Sequence, residues 1–324
     1  MTEALRATSG KVASDAAARD WFQAVAAQLR ERILASWTER AADRPQREAN
    51  YLSIEYLPGR LLLDLLNNLG LLENFRSELD ALGIRIEDLA GIEPEPGLGN
   101  GGLGRLASCL LDSFATLGLP VWGYGIRYEH GLFLQRFSEG RQVELPDRWL
   151  SLGYPWEFQR PDRTHSVPFH GRMEGSVGAD GRVATRWVEN EPAVAMAYDL
   201  PVIGYRSGRV NRLRLWSVVP AGGMPHIDGG DKAVRELEWD EDIAAALYPN
   251  DKTEEGRKLR LRQEFFLASA SVQDILARHR ARGRPLDALA AHVAIHINDT
   301  HPTIVIAELM RLLVDVHGMS WKRA

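Results

Sequence analysis

The chain has 324 residues, of which 45% are hydrophobic and 26% are charged, and its formal net charge is −5. Such a composition is typical of a globular protein with a hydrophobic core, and it excludes a disordered tail, a collagen-like fibre and a coiled coil. The acidic balance also disfavours nucleic-acid binding, because a phosphate backbone would be repelled.

One cysteine, Cys109, excludes a disulfide framework and a cysteine zinc cluster within a single chain, and it suits a reducing compartment. The amino-terminal region is polar and alanine-rich, and no apolar run approaches the roughly 18 residues that a membrane span needs. We therefore expect a cytoplasmic protein that spans no membrane.

The first third of the chain predicts helices around one short strand. Hydrophobic side chains recur at helical spacing over residues 16–40, residues 51–56 form a strand-like apolar run, and a leucine-rich helix follows from about Arg60. Residues 97–104 are dominated by glycine, and a helix is predicted to continue from them to about residue 117.

From Val121 the hydrophobic period changes to two, which is typical of strands. The predicted strands cover residues 121–127 and 132–137, which we expect to pair with each other, and residues 167–177, 183–189 and 210–219. Asp180 and Gly181 are predicted to form a hairpin turn.

Helices are then predicted over residues 231–247 and 256–280, a buried strand over residues 293–298, and a further helix from Pro302. Strands that alternate with helices, interrupted by an antiparallel insertion, predict an α/β fold with a mainly parallel sheet. No repeat or low-complexity linker divides the chain, so we expect residues 1–324 to form one domain.

The glycine run at residues 97–104 is the strongest local signal of a binding site. Gly97, Gly99 and Gly102 satisfy the pattern G-x-G-x-x-G, but a dinucleotide fold also requires a strand directly before the run and an acidic residue about 20 positions later. Neither requirement is met, so the dinucleotide interpretation is disfavoured. The run and the following helix start can instead bind an anion through backbone N–H groups, or they can serve only a tight loop with close helix packing.

Glu55 lies in the apolar run of residues 51–56, where a buried carboxylate needs a partner. Arg60 and Arg105 are the candidate partners. A structural ion pair is the favoured interpretation, and direct catalysis is the alternative. Cys109 lies among leucines of a predicted helix, and we expect it to be a small core residue.

Two further runs end in polar residues. Residues 248–251 contain Asn and Asp after a proline, which is ordinary turn chemistry. Residues 297–302 follow the carboxyl end of a buried strand, where ligands gather in open α/β sheets. Alternatively, Asp299 or Thr300 caps the helix that follows. A metal site that includes His296 is disfavoured, because no thiolate or glutamate supports it.

An ordered series of motifs resembles the amino-terminal half of the glycogen and maltodextrin phosphorylases. The most specific motif is residues 97–118, and the others follow at the family's spacing over residues 123–128, 199–205, 213–216, 247–251, 259–263 and 298–302. Residues 271–279 and 319–321 are most similar to the bacterial maltodextrin phosphorylases. The resemblance implies the amino-terminal half of a glycosyltransferase-B-type fold, which has two Rossmann-like domains, and a homodimer formed through the predicted helix at residues 231–247.

The resemblance also implies an activity, the retaining phosphorolysis of an α-1,4-glucan from its non-reducing end to give glucose 1-phosphate. Glucan and inorganic phosphate are then the partners, and pyridoxal 5'-phosphate is the cofactor, which acts through its phosphate group. No metal is implied.

The family's site residues carry over onto matching positions of this sequence. The positions whose backbone lines the phosphate and glucosyl site are matched by Gly101, Gly102 and Leu103. The supporting groups on the cofactor side are matched by Glu55 and Arg105. Asp251 matches a position in a loop that gates the glucosyl site. Asp299 and His301 match polar residues of the acceptor site.

The family's cofactor lysine, a second catalytic histidine run and its phosphate-binding arginine and lysine have no counterpart in this sequence. None of the five lysines lies in a matching motif. We therefore expect an incomplete chain that lacks the carboxy-terminal cofactor-binding domain and is inactive alone. A non-catalytic remnant that binds glucan or forms a subunit interface is the alternative.

Overall fold

The computed structural model describes residues 1–39, 45–177, 183–219 and 243–324. Its helices are α1 (Thr2–Ser9), α2 (Ala18–Glu39), α3 (Leu62–Asn68), α4 (Leu72–Asp80), α5 (Ile86–Ile92), α6 (Gly101–Thr116), α7 (Glu254–Ala281), α8 (Leu289–His292) and α9 (Val305–Arg311). Its strands are β1 (Glu48–Leu52), β2 (Val121–Ile126), β3 (Gly131–Ser138), β4 (Arg141–Asp147), β5 (Phe158–Phe169), β6 (Arg172–Val177), β7 (Val183–Val188), β8 (Glu191–Ile203), β9 (Val210–Val219) and β10 (Val293–Ile297). A short 3-10 helix at His301–Ile304 leads into α9.

The central sheet has six strands in the order β10-β1-β2-β9-β8-β5. The first four are parallel, and β8 and β5 continue the sheet in antiparallel pairs. Two separate two-stranded ribbons, β3-β4 and β6-β7, are antiparallel. The predicted α/β class, with a mainly parallel sheet and an antiparallel insertion, is confirmed.

The sheet is covered by α6 on one face and by α7 on the other. The hydroxyl of Tyr124 in β2 donates a hydrogen bond to Asp274 of α7 (2.6 Å). A Cβ on the preceding residue, Gly123, would lie 2.6 Å from Leu111 of α6. Because successive residues of a strand face opposite sides, the two helices sandwich the sheet, and α6 packs too closely for a side chain at Gly123.

Most predicted elements are confirmed, but three strand predictions are wrong in their pairing or their bounds. Strands β2 and β3 do not pair with each other, since β2 lies between β1 and β9 and β3 pairs with β4. The segment between them is held elsewhere, because the N–H groups of Glu129 and His130 donate to the carbonyls of Ala244 and Ala245. The predicted strand at residues 51–56 also begins earlier, at Glu48, and ends at Leu52.

The predicted strand at residues 167–177 is divided between β5 and β6. His170 and Gly171 both have left-handed backbone, with φ of 54° and 72°, so the chain turns between the two strands. The predicted hairpin turn at Asp180 and Gly181 lies outside the described residues. So does most of the predicted helix at residues 231–247, of which residues 243–245 are described and helical.

Candidate active site

The glycine run leads directly into α6, whose first residue is Gly101. The N-cap residue Asn100 makes no side-chain cap hydrogen bond, so the first N–H groups of the helix are left for another acceptor. Gly101 has a φ of 55°, and a Cβ added to Gly101 or Gly102 would meet no atom within 4 Å. A helix start with free N–H groups and open space beside its first two glycines is suited to an anion such as a phosphate group.

Two other glycines of the run serve close packing. A Cβ on Gly99 would lie 2.9 Å from the carbonyl carbon of Tyr56, and a Cβ on Gly104 would lie 3.0 Å from Oε2 of Glu55. The two interpretations of the run therefore apply to different residues. Gly99 and Gly104 allow the helix to approach the segment after β1, whereas Gly101 and Gly102 face open space.

Glu55 is 2% exposed, and both of its carboxylate oxygens are hydrogen-bonded. Oε2 accepts the backbone N–H of Asn100, and Oε1 accepts the hydroxyl of Tyr248 (2.7 Å). One buried carboxylate thus joins the start of α6 to Tyr248, which lies 193 residues after Glu55 in the chain.

The expected ion pair between Glu55 and an arginine is not formed among the described residues. Arg105 donates instead to the carbonyl oxygens of Leu57 and Pro58, at 3.2 Å each. Its guanidinium therefore supports the turn before α3, while a peptide N–H and a tyrosine hydroxyl satisfy the carboxylate.

Tyr248 is a residue that the sequence analysis missed as a site residue. Burial and the hydrogen bond to Glu55 raise the pKa of its phenol to about 12. The guanidinium of Arg260 lies 5.1 Å from the ring centroid of Tyr248 and 3.5 Å from a carboxylate oxygen of Glu264. Burial raises the pKa of Glu264, and the nearby Arg260 and His301 oppose this shift. The signal in the sequence was the position of Tyr248 in a recognised motif, which by itself indicates only a turn.

The carboxyl end of β10 meets the same helix start. Asn298 is buried, and its side-chain amide donates to the hydroxyl of Ser53 (3.1 Å) and to the carbonyl oxygen of Leu103 (3.4 Å). Its backbone N–H donates to the carbonyl of Leu52 at the end of β1 (2.9 Å). The ends of two parallel strands therefore lie against the first turn of α6, the edge where ligands bind in open α/β sheets.

Asp299 and His301 form a polar pair just beyond β10. Asp299 has a φ of 62°, its Oδ1 accepts the N–H of Thr300 (2.7 Å), and its Oδ2 lies 3.8 Å from Nδ1 of His301. That nitrogen is buried and has no hydrogen-bond partner among the described residues. His296 does not join them, because its ring stacks on Tyr51 with the centroids 5.0 Å apart.

Asp251 lies in the exposed loop of residues 248–253, which precedes α7. Arg257 donates to its carbonyl oxygen (3.2 Å), and Thr253 caps α7 by accepting the N–H of Gly256 (3.0 Å). The structure brings this loop to the glycine run through Tyr248, three positions before Asp251.

No helix within the described parts of the chain is both long enough and apolar enough to cross a bilayer.

Comparison with known proteins gives one consistent family. The family model described as carbohydrate phosphorylase matches residues 79–324. The chain is 43% identical to a glycogen phosphorylase of Haemophilus influenzae over 97% of its length, and 42% identical to one of Bacillus subtilis over 99%. It is 43% identical over 94% of its length to an α-1,4 glucan phosphorylase L-2 isozyme of Solanum tuberosum. It spans 39%, 40% and 32% of the lengths of these three relatives, respectively.

Proposed function

The chain belongs to the carbohydrate phosphorylase family, and from this premise we propose that it supplies the amino-terminal part of an α-1,4-glucan phosphorylase site. The reaction is retaining phosphorolysis at the non-reducing end of a glucan, with glucose 1-phosphate as the product. The observation that carries the proposal is the open, uncapped helix start at Gly101 and Gly102, which a buried Glu55 holds in place.

The proposed role of the helix start is to hold a phosphate oxygen. The first N–H groups of α6 have no side-chain cap, and the open space beside Gly101 and Gly102 would allow an oxygen to approach them. Attraction of an anion to a helix end contributes typically 0.3–1 kcal/mol, and up to about 2 when partly buried. Since each 1.4 kcal/mol is about tenfold in affinity, the helix start binds an anion only weakly unless cations assist it.

Pyridoxal 5'-phosphate is the proposed cofactor, and the helix start fits its phosphate group because that position is open and its N–H groups have no side-chain cap. When bound, the cofactor supplies a phosphate group that exchanges a proton with inorganic phosphate. Gly101, Gly102 and Leu103 would line that phosphate, and Glu55 fixes their position through Asn100. Arg105 supports the neighbouring turn through two carbonyls.

The other residues that match site positions of the family are proposed to contact the glucan. Asp251, on its exposed loop, would face the glucosyl unit. Asp299 and His301, held at the end of β10, would contact the acceptor sugar through the exposed parts of their side chains. The complete molecule is proposed to be a homodimer with two Rossmann-like domains.

The proposal is tested by grafting. Residues 1–324 replace the matching segment of the Bacillus subtilis relative, and phosphate-dependent release of glucose 1-phosphate from maltoheptaose is measured. We expect activity in the chimera. Gly102→Ala should lower kcat/KM at least about tenfold, because a methyl group would occupy the open space at the helix start that we assign to the phosphate.

Gly91→Ala is the matched control. Gly91 also has no atom within 4 Å of an added Cβ, but it lies in α5, outside the glycine run. A folded chimera without activity would refute the proposal. If that chimera still bound maltoheptaose, the alternative of a non-catalytic glucan-binding domain would replace it.

A further inference from the structure

We propose that Glu55 and Tyr248 form a latch that fixes the loop of residues 248–253 against the glycine run, and that Tyr248 is a positioning residue of the site. The hydroxyl of Tyr248 donates to Oε1 of Glu55 (2.7 Å), while Oε2 of the same carboxylate accepts the N–H of Asn100. A hydrogen bond from a hydroxyl to a carboxylate is among the stronger kinds in proteins. One side chain therefore sets the separation between the loop and the start of α6.

Glu55 is a rigid anchor for this contact. It is 2% exposed, and the backbone of Gly104 packs so closely that an added Cβ would lie 3.0 Å from Oε2 and 3.4 Å from Cγ. The carboxylate cannot turn away from α6 without leaving a buried charge unsatisfied. The position of Oε1, and hence of the tyrosine that donates to it, follows from the packing of the helix start.

The rest of the loop is tied to α7 and not to the glycine run. Thr253 caps the helix, and Arg257 donates to the carbonyls of Asp251 (3.2 Å) and Lys252 (3.4 Å). Among the hydrogen bonds of the described residues, that of Tyr248 is the one that joins the loop to Glu55 and the helix start. Removing its hydroxyl should therefore free the loop from the site and leave α7 intact.

The effect on catalysis rests on the proposed function, whereas the latch itself does not. Asp251 lies three positions after Tyr248, so a loop released from Glu55 would hold Asp251 less firmly. We expect Tyr248→Phe in the chimera described above to raise KM for maltoheptaose about tenfold, with a smaller change in kcat, because a positioning group mainly affects how the substrate is held.

The latch is tested on the 324-residue chain by limited trypsin digestion, followed by mass spectrometry of cleavage after Lys252, an exposed loop residue. Tyr248→Phe should increase this cleavage rate about tenfold, because it removes the hydrogen bond but keeps the ring. Glu55→Gln should have a much smaller effect, since the amide oxygen can accept from Asn100 while the amide N–H donates to the tyrosine oxygen.

Tyr128→Phe is the matched control. Tyr128 is fully buried, and its hydroxyl donates to the carbonyl of Ile54 (3.0 Å), one residue before Glu55, and not to a residue of the loop. This variant should leave cleavage after Lys252 unchanged relative to cleavage after Lys322.

Three results would overturn the proposal. If cleavage after Lys252 were unchanged in a folded Tyr248→Phe variant, the latch would not exist. If Tyr128→Phe increased this cleavage rate equally, the cause would be a general loosening of the fold. If Tyr248→Phe increased the cleavage rate but left KM unchanged, Tyr248 would not be a positioning residue. An inactive chimera would count against the proposed function alone, because proteolysis tests the latch without catalysis.

Discussion

Glu93 illustrates, at the scale of single residues, how this fold stabilises a buried carboxylate with neutral donors. It accepts the N–H groups of Leu61 (2.8 Å) and Leu62 (3.0 Å) and the indole N–H of Trp156 (2.6 Å). Burial raises its pKa, and these hydrogen bonds oppose the shift. Because two of the donors lie at the start of α3, Glu93 acts as a cap for that helix from a distance of 31 residues along the chain.

Replacing Glu93 by Ala should therefore lower the free energy of unfolding by about 3 kcal/mol, because three buried donors lose their acceptor. Glu93→Gln should cost less, since its amide oxygen still accepts. Urea denaturation measures both. The control is Glu87→Ala on α5, which removes an exposed ion pair with Arg76 and should cost less than about 1 kcal/mol. Equal losses in the Glu93 and Glu87 variants would contradict the capping role.

Asp112 on α6 predicts a pH dependence of stability. Asp112 is exposed at the surface of α6, but partial desolvation by its surroundings and repulsion from Asp64 raise its pKa to about 6, and Arg105 partly opposes this. Between about pH 4 and 6 the folded state keeps a proton that the unfolded state releases, so stability falls as the pH rises through this window.

Asp112→Asn should accordingly be more stable than the parent at pH 7.5, by roughly 1 kcal/mol after allowance for solvent screening of a partly exposed group. The difference should vanish near pH 3, where the parent carboxyl is largely protonated in both states. Urea midpoints at the two pH values measure this, with Asp80→Asn on the surface of α4 as the control. If the difference in stability between Asp112→Asn and the parent were the same at both pH values, the charge of the carboxylate would not be its cause.

At the scale of elements, the start of α7 shows how a loop and a helix constrain one glycine. A Cβ on Gly256 would lie 1.8 Å from the carbonyl oxygen of Asn250, so the loop of residues 248–253 folds directly onto the helix backbone. Thr253 caps the same turn. The loop that carries Asp251 therefore depends on a contact that only glycine allows.

Gly256→Ala should lower the free energy of unfolding by about 2 kcal/mol or more, because the loop must move to admit the methyl group. Gly91 lies within α5, and a Cβ added there would meet no atom within 4 Å. Gly91→Ala should therefore raise the free energy of unfolding by up to about 1 kcal/mol, since alanine is the better helix former. Thermal unfolding of the two variants should show shifts of opposite sign, and a stabilised Gly256→Ala variant would contradict the contact.

The pairing of strands is also decided at this scale. Alternation correctly indicated β2 and β3, but not their partners, because β2 is held on both sides by parallel strands that are distant in sequence. Periodicity indicates that a segment is extended, whereas its neighbour depends on which other segments bury its faces.

At the scale of the whole molecule, a buried charge network joins the sheet to α7. Arg214 of β9 donates to Asp199 of β8 (2.7 and 2.9 Å) and to Asp274 of α7 (2.6 Å). Arg278 of α7 also donates to Asp274 (3.2 Å) and to Glu48 at the start of β1. Breaking such a network leaves an uncompensated buried charge.

Asp274→Asn should thus lower the free energy of unfolding by about 3–5 kcal/mol at pH 7. Burial would raise the pKa of Asp274, but Arg214, His165 and Arg278 outweigh it and hold the pKa well below its usual range. A carboxyl with a lowered pKa stabilises the fold above about pH 4, so the gap between parent and variant should shrink in acid. Asp162→Asn, which removes an exposed pair with Arg160, should cost less than about 1 kcal/mol. A comparable cost in both variants would contradict the role of burial.

For the 324-residue polypeptide alone, we expect no release of glucose 1-phosphate and no borohydride-fixable pyridoxal phosphate. None of its five lysines lies in a motif that matches the family's cofactor lysine, and a helix start by itself attracts anions only weakly. Incubation with cofactor, phosphate and maltoheptaose tests this. One fixed cofactor per chain would show that the catalytic groups lie elsewhere than assumed.

The sequence by itself determined the α/β class, most helices and the family, because hydrophobic periods, glycines and prolines act locally and recognised motifs persist in order. It also located the glycine run. It did not show which glycines pack and which face open space, since that depends on Tyr56 and Glu55 approaching from another segment.

Only the tertiary structure decided which side chains bond to each other and which are exposed. Glu55 was expected to pair with a nearby arginine, yet it binds Tyr248, which lies 193 residues away and had been interpreted as part of a turn. Cys109 was expected in the core because leucines surround it, yet it is exposed, since the buried face of α6 runs through residues 104, 107, 108, 111 and 115. Local patterns determine what each segment is, whereas the burial of side chains and the satisfaction of their polar groups depend on segments that meet only after the chain has folded.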